Sequence, residues 1–381
     1  MASNLFFNRH TRVYLKQGTN IWEIPVLSGY SFSQTTNSSQ VTLNEMSDAT
    51  GVSRRGQQAF NDSLSPAEWS FDVYARPTLV TGTPNRMRAV EEPLWANMAA
   101  VNAYTAGTNS WTSGVTIGAT ALDFDFNASN KTTLGTFDLY FVLGASKQSP
   151  LDDTVIYPDD TDTTIYKISN CVVNEATMNF EIDGIATISW SGMGSQITEV
   201  KGSTFDTSSA IVTGIATTTN MIRNRLTALT ATSSVSGSLK TYDITLTGGS
   251  ITISNNISFL TPETIGIVNV PLGHVTGTRS VSGSFTAYLD TKTNGTADLY
   301  ADLLSATTVV TNSFDLNFYV GGKSADDQPT GPGIQFDMGQ CHLEVPSVNI
   351  DDVIGVEMNF TALPSTISGT NEITKIRYVG V

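Results

Sequence analysis

The chain carries two copies of one pattern, and this duplication constrains its fold more than any other feature of the sequence. Residues 136–147 read TFDLYFVLGASK and residues 313–324 read SFDLNFYVGGKS, with Phe, Asp, Leu, Phe and Gly at matching places. Four further pairs of segments match in the same order, and the spacing between partners falls steadily along the chain: 221, 212, 205, 177 and 170 residues. Chance similarities would scatter, so the series indicates a duplicated unit with longer loops in its first copy.

The matched segments predict the elements of each copy. The other pairs are 22–34 with 242–255, 69–75 with 281–287, 94–99 with 299–304, and 171–195 with 341–365 without a gap. The glycines of Ser28-Gly29 and Gly248-Gly249 predict hairpin turns. Alternating apolar residues from Trp69 onward, and from Val281 in the second copy, predict a strand. Pro93, followed by Leu94, Met98 and Val101 at helical spacing, predicts a short helix, and Leu299 and Leu303 predict its counterpart.

Composition places these elements in a folded, mainly β protein. Apolar residues make up 40% of the chain and charged residues only 14%, and the remainder is rich in Thr, Ser, Asn and Gly, which favour strands and turns. We therefore predict an α+β fold of two tandem β-sandwich or half-barrel domains, each with one short helix. The first domain spans 1–205, with a long loop at 44–66 and an insertion at 104–135. A linker or insertion covers 206–240, and the second domain spans 241–381.

The sequence offers no catalytic, cofactor-binding or metal-binding pattern. The three histidines lack partners at metal-ligand spacing, and the nucleotide-binding and nucleophile-elbow motifs are absent. The net charge of −15 argues against a surface that grips nucleic acid. The two cysteines, the absence of a signal-like N-terminus and the lack of an apolar run of ~18 residues predict synthesis in a reducing cytoplasm without membrane insertion. We predict a non-enzymatic protein without cofactors.

The loop at 44–66 is the segment that most resembles an interaction site. A loop of this length is commonly functional or disordered, and this one places two adjacent arginines among carboxylates. We interpret it as an arm that orders against a neighbouring subunit, where its arginines would meet acidic groups. The candidate interface residues are Glu45, Asp48, Arg54, Arg55, Gln57, Phe60 and Asp62.

Residues 244–290, ITLTGGSITISNNISFLTPETIGIVNVPLGHVTGTRSVSGSFTAYLD, resemble the core stretch of phage tail tube proteins. The predicted order of hairpin, long loop, strand, helix and further strands is similar to the tube fold as well. The resemblance implies self-assembly into stacked rings of three or six chains, in which each fold lends strands to a barrel shared between subunits. It also implies a virion structural protein of the phage tail, with DNA passing through the lumen without specific binding.

The resemblance assigns roles to particular segments. Strands near 21–35, 68–76, 241–258 and 280–289 become candidates for the inner wall, and the 44–66 loop becomes the stacking arm. Two folds in one chain favour a ring of three chains over a ring of six. Tape-measure, sheath and tail-terminator proteins are the further partners that the resemblance implies, and no membrane partner is expected.

Three other classes of protein remain open from the sequence. A β-sandwich adhesin would share the Thr, Ser and Gly richness, although the helix in each repeat weighs against it. A baseplate or decoration protein of the virion is a second structural alternative. A β-fold hydrolase is the enzymatic one, and it would need two carboxylates poised in a cleft.

Overall fold

Antiparallel strands make up most of the computed structural model, as the composition predicts. The structure describes these residues: 6, 8–42, 57–82, 84–100, 102–126, 134–144, 163–200, 215, 218–233, 238–261, 269–305, 314–322, 331–350, 353–367, 369 and 371–380. Nineteen strands belong to one sheet, and the other eight form four two-stranded ladders. The predicted mainly β fold is confirmed, and the large sheet does not close into a barrel within the described part of a single chain.

The described residues of the first half form sixteen strands and one helix, α1, at Glu92–Ala99. The strands are β1 (Arg12–Gln17), β2 (Asn20–Ile24), β3 (Ser31–Ser33), β4 (Thr36–Thr42), β5 (Gln57–Leu64), β6 (Ala67–Tyr74), β7 (Pro77–Val80), β8 (Arg86–Ala89), β9 (Tyr104–Thr105), β10 (Ser110–Trp111), β11 (Val115–Ile117), β12 (Ala121–Asp125), β13 (Phe137–Gly144), β14 (Thr163–Glu181), β15 (Thr187–Gly194) and β16 (Ile197–Val200). A 3-10 turn at Asn8–His10 precedes β1.

In the second half, the described residues form eleven strands and the helix α2, at Thr296–Ser305. The strands are β17 (Ala228–Ser233), β18 (Lys240–Ile244), β19 (Leu246–Ser254), β20 (Ile257–Leu260), β21 (Gly273–Thr276), β22 (Ser280–Tyr288), β23 (Phe314–Val320), β24 (Gly333–Leu343), β25 (Ser347–Asn349), β26 (Gly355–Ala362) and β27 (Lys375–Val379). A 3-10 turn at Asn224–Leu226 precedes β17. Neither helix has both the length and the apolar character needed to cross a lipid bilayer.

The two halves pair their strands in the same order. Neighbours in the first half run β2, β1, β13, β14, β15, β6 and β3, and in the second half β18, β17, β23, β24, β26, β22 and β19. Both halves shift register at the same point, where Phe137 pairs with Cys171 and Phe314 pairs with Cys341. In both, the helix lies between equivalent strands. This agreement extends the sequence duplication to the level of topology.

The pairings also correct two of the sequence alignments. Phe71 and Phe285 occupy equivalent positions in the two halves, so β6 and β22 match at a spacing of 214 residues rather than 212. A slip of two residues keeps every side chain on its own face of a strand, so the alternating pattern cannot detect it. The last match is not ungapped, because β15 and β26 correspond at 168 rather than 170 residues. The turn before β26 is two residues shorter.

The predicted hairpin turn at Gly248-Gly249 is wrong. Both glycines lie within β19, and β18 and β19 pair with different strands rather than with each other. A Cβ atom on Gly249 would stand 2.5 Å from the carbonyl oxygen of Ser284 and 2.8 Å from the ring of Phe180. The glycine therefore marks a close approach between strands. Ser28-Gly29 does form a turn, but β2 before it and β3 after it do not pair with each other: β2 pairs with β1, and β3 pairs with β6.

Three segments predicted as irregular contain strands. β5 lies within the 44–66 loop and pairs with β4, so the loop is in part a two-stranded arm. The 104–135 insertion contains β9 to β12, and β12 pairs with the C-terminal strand β27. β17 and the start of β18 fall inside 206–240, the predicted linker. Their polar, Thr-rich composition concealed them, because a strand with one buried face needs only one buried residue in two.

One continuous core joins the two halves, and a buried polar contact lies within it. The indole of Trp95 on α1 donates a hydrogen bond to the hydroxyl of Tyr378 on β27, at 2.8 Å. That hydroxyl in turn donates to Oε1 of Glu91, at 2.5 Å. Glu91 is fully buried, and this burial raises the pKa of its carboxyl to about 7, although the hydrogen bond from Tyr378 and the nearby charge of Arg76 act in the opposite direction.

The raised pKa of Glu91 predicts a pH-dependent contribution to stability. The unfolded chain ionises this carboxyl near 4.5, whereas the folded chain keeps the proton until about pH 7, so folding is opposed increasingly as the pH rises through that window. We expect the free energy of unfolding of Glu91→Gln, relative to that of wild type, to increase by about 2–3 kcal/mol as the pH rises from 5 to 7.5. Urea denaturation of both proteins at the two pH values measures this. An equal difference at both pH values would contradict it.

Candidate subunit interface

Eight strands from the two halves form one continuous stretch of the large sheet. Their order is β3, β6, β15, β14, β19, β22, β26 and β25, and every neighbouring pair is antiparallel. One face of this stretch packs into the core through residues such as Trp69, Trp190, Phe180, Phe285 and Phe360. The opposite face is the candidate functional surface, because it is continuous across both halves of the chain.

Hydroxyl, amide and carboxylate side chains dominate this opposite face, which we name the polar face. Its members include Ser31, Ser33, Glu68, Ser70, Asp72, Glu175, Thr177, Asn179, Glu181, Ser189, Ser191, Ser250, Thr252, Ser282, Ser284, Thr286, Ser347, Asn349, Glu357, Asn359 and Thr361. Five of them are acidic, and no Lys, Arg or His occurs on the other seven strands or on residues 172–181 of β14. The polar face is therefore uniformly uncharged or negative.

The two halves meet where β14 pairs with β19, and we name this contact the in-chain joint. It joins seven residue pairs, from Glu175 opposite Ser254 to Glu181 opposite Gly248. On the polar face, the hydroxyls of Thr177 and Thr252 lie 3.0 Å apart and share a hydrogen bond. On the core face, Phe180 covers the site of Gly249 and packs on Phe318 with ring centroids 5.6 Å apart.

The stretch ends in two edges, β3 and β25. Within the described residues, β3 pairs only with β6, and β25 pairs only with β26. Apolar side chains are exposed beside β25: Val345 is 56% exposed, Val348 40% and Ile350 82%. Strand edges with unpaired backbone groups and apolar neighbours favour pairing with another chain.

In each half, a two-stranded arm leaves the sheet directly after β3 or after its counterpart β19. The first arm is β4 with β5, and the second is β20 with β21, in the same place between β19 and β22. The two arms touch, because Asn269 forms a parallel bridge with Ser63 and its amide donates to the carbonyl of Asp62 at 3.1 Å. The first arm is polar, whereas the second exposes Leu260, Leu272 and other apolar residues.

The structure describes three of the seven candidate interface residues, and all three lie on β5. Gln57 donates a side-chain hydrogen bond to Gln40 at 2.6 Å. Asp62 accepts one from the Ser39 hydroxyl at 2.5 Å, and Phe60 is 51% exposed. Their cross-strand contacts brace the arm, and only the Phe60 ring is presented as an apolar contact. The other four, Glu45, Asp48, Arg54 and Arg55, lie outside the described residues.

Two parts of the candidate interface were not identified from the sequence. The second arm escaped notice because its strands flank residues 262–268 without a hairpin signature. The edge at 345–350 reads VPSVNI, and its alternating Val348 and Ile350 could have been recognised as one face of a strand. What the pattern could not reveal is that, within the described ranges, this strand has a neighbour on one side only. Among the described residues no cluster of metal-ligating side chains occurs.

Comparison with known proteins identifies the family to which this architecture belongs. A family model described as "Phage tail tube protein" matches residues 143–362. Across 96% of its length, the chain is 31% identical to tail tube protein pb6 of Escherichia phage T5, and the match covers 74% of that relative. The chain belongs to the phage tail tube protein family. The resemblance seen in the sequence is thus confirmed.

Membership establishes the general role of this tail tube protein. Proteins of the family are structural components of the phage tail, and they polymerise into tubes. The chain is accordingly a virion component and not an enzyme, and the hydrolase and adhesin alternatives are not supported. Edge strands such as β3 and β25, which pair on one side only in the part of the chain that the structure describes, are places where another chain can add a strand.

Proposed function

We propose that three copies of this chain close into a ring, that the rings stack into the tail tube, and that the bore conducts DNA. One observation carries the proposal: the two halves have the same strand order and already join edge to edge within one chain. Repeating that joint between chains would give a closed ring of six similar folds in which neither β3 nor β25 remains an edge. Each tandem unit, 1–205 and 241–381 together with β17, would then be one tube fold.

The dimensions of such a ring suit duplex DNA. Three chains with eight strands each would supply about 24 strands, and at ~4.8 Å spacing and ~40° tilt the circumference is ~150 Å. The backbone diameter is then ~48 Å, and side chains reduce the bore to ~38 Å, which leaves room for water around a duplex ~20 Å wide. Three copies of the eight-stranded stretch therefore supply enough strands for a bore that is wide enough for duplex DNA.

The polar face would line the bore. Its continuity across both halves supports this assignment, since the other face is occupied by the core. The five carboxylates, Glu68, Asp72, Glu175, Glu181 and Glu357, would repel phosphates, and the surrounding hydroxyls would keep the wall hydrated. A wall of this kind lets DNA move without adhering to it.

The arms would connect successive rings. Both leave the sheet at the same place in their halves, so a ring would present six arms of two alternating kinds. In the first arm, Glu45, Asp48, Arg54 and Arg55 supply charges of both signs for a neighbouring ring, and Gln57, Phe60 and Asp62 hold the supporting strand. Tape-measure, sheath and tail-terminator proteins remain the expected partners at the bore, outer wall and end of the tube.

Electron cryomicroscopy of the purified protein tests this proposal. We expect hollow tubes whose rings contain three chains, with the polar face toward the axis. Rings of six chains would contradict the stoichiometry, and a bore lined by Lys and Arg would contradict the conduit wall. Particles that remain monomeric under conditions that polymerise other tail tube proteins would contradict self-assembly itself.

A further inference from the structure

We infer that the contact between neighbouring chains repeats the in-chain joint residue for residue, with β25 of one chain opposite β3 of the next. The predicted pairs are Ser347 with Ser33, Val348 with Phe32, Asn349 with Ser31, and Ile350 with Tyr30. This inference rests on the proposed ring, and it adds the identity of the two edges and their register. Three independent features of the chain support it.

The first feature is the correspondence between the strands on each side. The pair β25 and β26 in the second half corresponds to the end of β14 and β15 in the first. Val348 pairs with Val356 at the position where Met178 pairs with Ile188. In the same way, β3 and β6 correspond to β19 and β22, and Phe32 is the counterpart of Ile251. Since Met178 lies opposite Ile251 in the in-chain joint, the same relation places Val348 opposite Phe32 of the next chain.

The second feature is exposure. Met178 and Ile251 are each 1% exposed, and Phe180 is 2% exposed, because the in-chain joint covers them. Their counterparts at the edges are not covered in a single chain: Val348 is 40% exposed and Ile350 is 82% exposed. An isoleucine at the place of a buried phenylalanine, with its side chain almost wholly in water, is what an unfilled joint would leave.

The third feature is that the chemistry of the pairs is conserved while their sizes compensate. The hydroxyl pair Thr177 and Thr252 is replaced by the hydroxyl pair Ser347 and Ser33. Where Met178 lies opposite Ile251, the edges provide a smaller residue, Val348, and a larger one, Phe32. One side chain of the pair is smaller and the other is larger, so the volume that fills the joint is kept roughly constant.

Cysteine cross-linking tests the register. Residues directly opposite in an antiparallel pair have Cβ atoms about 4.5–5.5 Å apart, close to what a disulfide needs. We expect tubes of the Ser33→Cys/Ser347→Cys variant to form inter-chain disulfides on mild oxidation and to run as covalent trimers in denaturing gels without reductant. Cys171 and Cys341 are buried, and this burial raises the pKa of both thiols, so they should not react.

Two matched variants control for register and reactivity. Thr177→Cys/Thr252→Cys should form its disulfide within one chain, so this variant should run at the mass of a single chain on the same gel. Ser33→Cys/Asn349→Cys is displaced by two residues, which separates diagonal positions by about 7–8 Å, and it should cross-link at least tenfold more slowly. Tubes that are intact by microscopy but lack the Ser33–Ser347 disulfide, or favour the displaced pair, would overturn the register while leaving the proposed function standing.

Hydrogen exchange gives a second test that needs no substitution. In the unassembled chain the outward amides of 31–33 and 347–350 should exchange rapidly, and in native tubes we expect at least a tenfold slowing in both segments. If tubes form while either segment exchanges as before, the inference is wrong. If no tubes form under any condition, the proposed function itself has failed, and the two results are distinguishable.

Discussion

Replacing Phe180 with alanine should lower the free energy of unfolding of the single chain by about 3–5 kcal/mol. Phe180 is 2% exposed, covers Gly249 and packs on Phe318, so its removal leaves a cavity at the place where the two halves meet. The glycine beneath it has no side chain with which to fill that cavity. Urea denaturation followed by tryptophan fluorescence measures the loss.

The equivalent residue of the second half provides the matched control. Ile350→Ala should change the stability of the unassembled chain by less than about 0.5 kcal/mol, because a side chain that is 82% exposed contributes little to the core. Equal losses for the two variants would show that position 350 is already packed within one chain. The assignment of Ile350 to an open edge would then be untenable.

Introducing a charge at the same edge should abolish assembly. In an Ile350→Asp variant the carboxylate would be enclosed beside Tyr30 of the neighbouring chain, and burying an unpaired charge costs several kcal/mol at each joint. We expect the purified variant to melt at the wild-type temperature but to form no tubes. Sedimentation and negative-stain microscopy measure the assembled fraction.

Ile367 supplies the control for this variant, since it is also an isoleucine in full contact with solvent but lies on neither edge. Ile367→Asp should assemble as wild type does. If both substitutions block assembly, the loss reflects added negative charge on an acidic chain rather than the joint. If Ile350→Asp assembles normally, the proposed contact between β25 and β3 is excluded.

The features that the sequence predicted correctly depend on neighbours along the chain. The strand containing Trp69 and Phe71 alternates buried and exposed residues as predicted, and α1 begins beside Pro93. The helix ends at Ala99, and Val101 lies outside the described residues. Twofold and 3.6-residue periodicities are local consequences of backbone geometry, so they survive in the sequence and can be recognised without a structure.

The errors share a different origin. A glycine pair is a turn signal and predicts a turn at Gly248-Gly249, yet both residues lie in β19, where Phe180 and Ser284 leave no space for a Cβ atom on Gly249. The polar residues of 44–66 predict a loop, yet β5 within it is a strand that is polar on both faces, which is typical of a ladder that projects from the core. In each case the decisive contact is with a residue distant in the sequence.

The sequence by itself determined that this protein is a duplicated β fold, because repetition and alternation can be recognised from residue order, and its resemblance to tail tube proteins implied the family. Only the tertiary structure decided which strands are neighbours, that β14 and β19 join the halves, and that β3 and β25 each pair on one side only among the described residues. Periodicity specifies which face of a strand is buried, but strand pairing is made through backbone groups that are alike in every residue. The partner of an edge is therefore chosen by the fold as a whole.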